Sequence, residues 1–177
     1  MSLVRVSDPS EMHRGESSLS QASEERSYWI QVFTPKTWDH FVNVGANVTG
    51  FRPTRWKYIQ SSMRPGDYIL CYLSGVKKWI GALEIKSDPY LDVTPIWEED
   101  LFPCRADVKL LVQLSLDDGV LIQDLKDQLS IFRAKNWSLY LISSPSKWKT
   151  SDGEAVLKAI LDAQRRRGPA DVHSATK

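Results

Sequence analysis

From Val44 to Gly66 the chain carries no acidic residue, and within that span Phe51 and Trp56 are interleaved with Arg52, Arg55 and Lys57. Flat aromatic faces beside fixed positive charge suit one task well. A ring can stack on a nucleobase, each of which has a π-face, while Arg or Lys neutralises the phosphates on either side. Trp97 and Phe102 stand in the proline-rich stretch "DPYLDVTPIWEEDLFP", and Phe51 stands between Gly50 and Pro53, so no regular periodicity demands these three aromatics. They are the candidates for a stacking surface. Arg52, Arg55 and Lys57 are the candidates for backbone contacts, with Arg105 and Lys109 extending the basic surface from a later strand. The formal charge of the 177 residues is only +1, so such a surface must be local.

Catalytic chemistry finds little support. His13 and His173 fall in the polar terminal stretches, which leaves His40 as the histidine of the folded unit and argues against a multi-histidine metal site. There is no glycine-rich phosphate loop, no nucleophile elbow and no H-E-x-x-H. Cys71 and Cys104 lack metal-ligand spacing and lie in apolar surroundings, as small core residues of a reduced protein do. The acidic run Glu98, Glu99, Asp100 reads as solvated surface. Neither an enzyme nor a cofactor or metal is expected. With no apolar run of membrane-spanning length and no export-type leader, the expectation is a soluble, cytoplasmic protein.

These residues need a scaffold. Seven Trp, six Tyr and five Phe supply a core for one domain. Residues 1–26 are Ser- and Glu-rich with few large apolar side chains and are expected to form a flexible arm, residues 27–167 to fold, and 168–177 to form a flexible tail. "SYWIQVFT" is apolar on both faces, as a central strand is. Thr34 and Pro35 then cap and open a helix with Trp38, Phe41 and Val42 on one stripe and Gly45 at its end. A second helix from Pro53 or Thr54 to Met63 buries Trp56, Ile59 and Met63. "RPGDYILCYL" and "KKWIGALEIKS" make a hairpin, the latter with Trp79, Gly81, Leu83 and Ile85 on one face. "CRADVKLLVQL" adds a strand with Ala106, Val108, Leu110 and Val112 together, and "NWSLYLI" reads as strand or buried turn. "SDGEAVLKAILDAQRRR" is a helix opened by a capping box from Ser151 to Glu154. The sum is an α+β domain on a curved, mostly antiparallel sheet.

The ordered series "YWIQVFTPKTWDHF", "NVTGF", "RPGDYILCYL", "GALEIKSDPYLD", "FPCRADVKLL" and "NWSLYL" resembles the EVE domain, a member of the PUA-like superfamily related to the YTH reader domains. That resemblance implies a pseudo-barrel flanked by helices, with a pocket that accepts a nucleobase, in EVE proteins a modified cytosine and in YTH domains a methylated adenine. It implies a pocket floor of Trp29 and Phe33 with Thr34 at the strand end, and Trp137 and Ser138 close by. The family's loop aromatic is replaced here by Thr49, so Phe51 is expected to take its role, with Phe102 as the second cage aromatic ahead of Arg105. The partner implied is nucleic acid with a modified base, DNA ahead of RNA, alongside restriction or modification proteins and no membrane.

Other readings stand beside it. An RNA-binding PUA-like module would use the same surface. A nucleobase-like metabolite could be bound in the same pocket, or acted on there with Asp67 or Glu84 as acid and base. A third reading is a docking module whose aromatic loop meets a protein.

Overall fold

A computed structural model describes residues 25–98 and 101–168. The arm and tail expected at 1–26 and 168–177 lie, apart from residues 25, 26 and 168, outside the described residues, as do Glu99 and Asp100.

Eight strands form one curled, mixed sheet ordered β2-β6-β4-β3-β1-β8, with β5 on β6 and β7 on β4. The strands are β1 Tyr28–Phe33, β2 Val48–Phe51, β3 Tyr68–Leu73, β4 Lys78–Ile85, β5 Tyr90–Leu91, β6 Cys104–Gln113, β7 Val120–Leu121 and β8 Ser146–Trp148. Helices α1 Pro35–Asn43, α2 Trp56–Ser62 and α3 Thr150–Arg166 complete the half-barrel. β1 pairs parallel with β3, and the other ladders are antiparallel.

The curl divides the apolar side chains into two layers. Inside, Trp29 and Phe33 of β1, Ile69, Cys71 and Leu73 of β3, and Cys104, Ala106 and Val108 of β6 pack with Trp38 and Phe41 of α1 and Ile59 in the middle of α2. Outside, Tyr28, Ile30, Leu70, Tyr72 and Trp79 pack under Val156, Ile160 and Ala163 of α3. This is why β1 is apolar on both faces: each face has a cover.

The α1 start follows its sequence closely. Thr34 Oγ1 accepts from the Thr37 backbone N–H at 3.2 Å, and Thr37 Oγ1 lies 2.9 Å from the Thr34 N–H that it accepts. The α3 start does not follow the expected capping box. Its N-cap is Lys149, with no side-chain cap, because Asp152 turns inward and accepts from Ser130 N and Oγ, both at 2.8 Å. Ser151 and Glu154 are exposed instead.

Two β-bulges overturn the expected strand faces. The β3–β4 register slips between Cys71 and Tyr72, so Trp79 goes to the outer layer while Ile80, Leu83 and Ile85 go inside. A second slip, between Ala82 and Leu83 against β6, sends Val112 outward while Ala106 and Val108 point in. One extra residue on a strand inverts every side chain beyond it. "NWSLYLI" is a turn rather than a strand: Trp137–Leu141 form a 3-10 turn with Leu141 buried in the outer layer, Trp137 half-buried against it, and Leu139 and Tyr140 exposed.

Candidate functional site

Where the C-terminal end of β1 turns into α1, the half-barrel opens onto a cavity of about 450 Å³. β1 contributes Gln31, Val32 and Phe33; the first turns of α1 contribute Lys36, Thr37 and His40; β2 contributes Thr49, Gly50 and Phe51. Trp97 and Phe102 come from the long loop, Arg52 and Ser144 from the rim. A volume of this size is that of an ordinary small-ligand site.

The aromatic wall is built on a glycine. A Cβ at Gly50 would lie 2.6 Å from Trp97 Cη2 and Cζ3 and 2.8 Å from Phe102 Cβ, so only a hydrogen allows the loop to seat there. The Trp97 and Phe102 rings meet edge to face, 5.7 Å between centroids at 80°. Phe102 holds φ at +36°, a left-handed conformation that costs a bulky residue free energy and persists only where its surroundings impose it.

Those surroundings are Arg105. Its side chain is fully buried, and its guanidinium donates to the carbonyls of Thr94, Leu101 (3.2 Å) and Phe102 (3.3 Å). Nη1 lies 3.0 Å from the Asp92 carboxylate as an ion pair without hydrogen-bond alignment, and the guanidinium carbon sits 5.3 Å from the Trp97 ring centroid. The Thr94 backbone N–H and then the Thr94 side chain hold the exposed Asp92 carboxyl below its ordinary range, with Arg105 adding to the effect. Arg105 ties the loop to β6 and has no face left for a phosphate, which corrects its assignment to a backbone-contact surface.

The polar floor lines the same cavity. Gln31 is the polar residue on the inward face of β1 between Trp29 and Phe33, and it is 7% exposed. Its Oε1 accepts from the Thr49 hydroxyl at 2.6 Å, linking β1 to β2 across the barrel interior. Thr34, Lys36 and Arg52 are exposed at the mouth, while Thr37 and His40 are half-buried.

Of the residues expected in the pocket, Phe33, Thr34, Thr49, Phe51, Trp97 and Phe102 line the cavity. Phe51 is a β2 residue, 3% exposed and part of the inner core, rather than a loop aromatic. Trp29 lies at the far end of β1, four residues or about 13 Å from Phe33. There its Nε1 donates to Asp67 Oδ2 at 3.0 Å, and its ring stands edge-on to Tyr58. Trp137 stacks on Phe132 at 4.6 Å against the outer layer, and Ser138 is exposed in the same turn; neither lines the cavity.

Of the basic set, Arg52 lines the cavity. Arg55 Nη2 donates to Ser143 Oγ at 2.5 Å and so braces the segment that carries Ser144. Lys57 is exposed outside the lining. Lys109 pairs in register with Glu84, four residues up β6 from Arg105, away from the mouth. Asp67 is buried, accepting also from the Ser27 and Arg64 backbone N–H groups, and neither it nor Glu84 reaches the cavity. Cys71 and Cys104 are buried, and burial pushes both thiols up, away from the nucleophilic range.

Sequence reasoning left out Gln31, Lys36, Thr37 and His40. Gln31 did carry a signal, an amide in an otherwise apolar inward stripe. Lys36, Thr37 and His40 share the α1 face beside the Trp38–Phe41 stripe, which a helical projection of the same nine residues displays.

The family model of the EVE domain matches residues 27–150. Among solved structures, the Mmi1 YTH domain in complex with RNA is similar with a TM-score of 0.59 and 13% identity, covering 82% of this chain and 84% of that one. The YTH domain of Zygosaccharomyces rouxii MRB1 protein, in complex with N6-methyladenosine RNA, gives a TM-score of 0.57 at 14% identity over 77% and 88%. A hypothetical protein from Leishmania major gives 0.55 at 19% over 80% and 99%. At such identities the likeness is one of fold. Comparison with curated proteins gives no match.

Proposed function

The chain belongs to the EVE domain family, and from that premise we propose that its cavity reads a single modified base of a nucleic acid strand without acting on it chemically. The observation that carries the proposal is one cavity lined both by the Trp97–Phe102 pair seated on Gly50 and by the Gln31–Thr49 bridge, with Lys36 and Arg52 at the mouth. Stacking on the wall repays the unstacking of an extruded base, and the floor supplies polar contacts to its edge. A methyl group on that base adds up to about 1 kcal/mol of apolar burial.

Modified cytosine in DNA is the first candidate. Methylated adenine in RNA is the second, favoured by the fold shared with YTH domains, of which one is solved with N6-methyladenosine RNA. The basic residues at and beside the mouth, Lys36, Arg52 and Lys57, serve the strand's phosphates in either case.

Matched short oligonucleotides containing cytosine, 5-methylcytosine, 5-hydroxymethylcytosine, adenine or N6-methyladenine, in DNA and in RNA, test this by fluorescence anisotropy at low and high salt. A preference for one modified base that survives high salt is expected. Equal binding of modified and unmodified strands at both salts would overturn the reading.

A further inference from the structure

We infer that Gln31 is the specificity-determining residue of the cavity, a fixed hydrogen-bond donor that selects bases whose Watson–Crick ring nitrogen is an acceptor. This deepens the reader assignment and rests on it.

The orientation of the Gln31 amide follows from Thr49. Thr49 is fully buried, and its hydroxyl proton must be donated or be left buried and unsatisfied. Among the described residues Gln31 Oε1, at 2.6 Å, is the acceptor that takes it. Were the amide flipped, Nε2 would face the hydroxyl and the buried Thr49 proton would lose its acceptor. Oε1 is therefore fixed toward Thr49 and Nε2 is fixed the other way. Nε2 makes no hydrogen bond to the described residues and is not among the sealed, unpartnered side-chain atoms, so its N–H groups open onto the cavity that Gln31 lines.

The backbone holds this donor in place. Gln31 lies in register with Cys71 on β3, and Thr49 with Ala106 on β6, so both ends of the bridge belong to paired strands. A base held in the cavity with its edge toward Gln31 meets an N–H donor. Cytosine- and adenine-type bases present an unprotonated ring nitrogen there, whereas thymine, uracil and guanine present a ring N–H. Two donors facing each other with water excluded leave both unsatisfied, and sites built this way discriminate strongly.

5-Methylcytosine and thymine make the test, because they share ring size and methyl position. Single-stranded oligonucleotides carrying 5-methylcytosine, 3-deaza-5-methylcytosine, thymine or an abasic site at one position are titrated against the full chain. N6-methyladenine and its 1-deaza analogue form a second pair. Wild type is expected to favour the ring-nitrogen member of a pair by about tenfold or more over its deaza or N–H counterpart. Gln31→Met should abolish that preference. Gln31→Glu, which keeps an acceptor for Thr49, should turn it toward thymine, and thermal melts establish that both variants fold.

Wild type binding these bases equally, yet more tightly than the abasic strand, would overturn the role of Gln31 and leave the cavity as a base site. Persistence of the preference in Gln31→Met would do the same. Equal binding of the abasic strand and all the others would remove the reader assignment, and this inference with it.

Discussion

Gly50 has room for a hydrogen and nothing larger, which makes it the most exacting position in the site. Gly50→Ala must move the Trp97 ring or the β2 backbone, at a cost of about 1–3 kcal/mol for overpacking. The expected result is a modest fall in urea stability together with a clear loss of affinity for the preferred oligonucleotide; unchanged affinity would show that Trp97 is not the wall. Arg105 makes a separate prediction. A lysine cannot reach three carbonyls and a carboxylate with one ammonium, so Arg105→Lys should lose about 2–3 kcal/mol. Amide exchange should quicken along 92–102 and stay unchanged in α3. Asp92 adds a pH dependence to this latch. Its folded pKa is lowered from the ordinary 3.8, so its contribution is fully present above that value and is lost as pH falls through the depressed folded value. Loop protection factors, which remove the intrinsic pH dependence of amide exchange, should therefore be flat from neutral pH down to the ordinary carboxylate range and fall only below it.

At the scale of elements, α3 and the cavity lie on opposite faces of the sheet and should respond independently. A Cβ at Gly153 would lie 2.2 Å from Tyr28 Cγ, and Asp152 anchors the Ser130 turn through two hydrogen bonds. Asp152→Ala should cost about 1–2 kcal/mol, since it leaves the half-buried Ser130 donors unpaired, while oligonucleotide affinity measured well below the melting point stays at the wild-type value. The elements were legible in the sequence to different degrees, for physical reasons. The β1–α1 junction was plain because Thr34, Pro35 and the Trp38–Phe41 stripe are local signals. The inward and outward faces of β4 and β6 were not, because the bulges at Cys71/Tyr72 and Ala82/Leu83 are set by cross-strand register. Arg105 illustrates the same limit within the site. Its place on one strand with Lys109 suggested phosphate contact, and only the fold brings the carbonyls of Thr94, Leu101 and Phe102 around it. The aromatic wall was foreseeable because loop aromatics beside glycine and proline are rarely needed for periodic packing. The floor was not, because the Gln31–Thr49 bridge joins residues of strands that are not paired with each other.

For the whole molecule, the net charge of +1 and a few cations at the mouth predict weak phosphate contact and dominant base contact. If Lys36, Arg52 and Lys57 each neutralise one phosphate of a single strand, the slope of log affinity against log salt should be about −2, far shallower than for a highly basic binder. A slope several times steeper would place the binding energy on the backbone instead. The central claim is that the base occupies the Trp97–Phe102 cavity, and the most direct test compares Trp97→Ala with Trp137→Ala for affinity to the preferred modified oligonucleotide. The account predicts a loss of about tenfold or more for Trp97→Ala, as removal of a stacking ring brings, and wild-type affinity for Trp137→Ala, whose ring packs on Phe132 against the outer layer. Wild-type affinity in Trp97→Ala, with the loss appearing in Trp137→Ala, would contradict it.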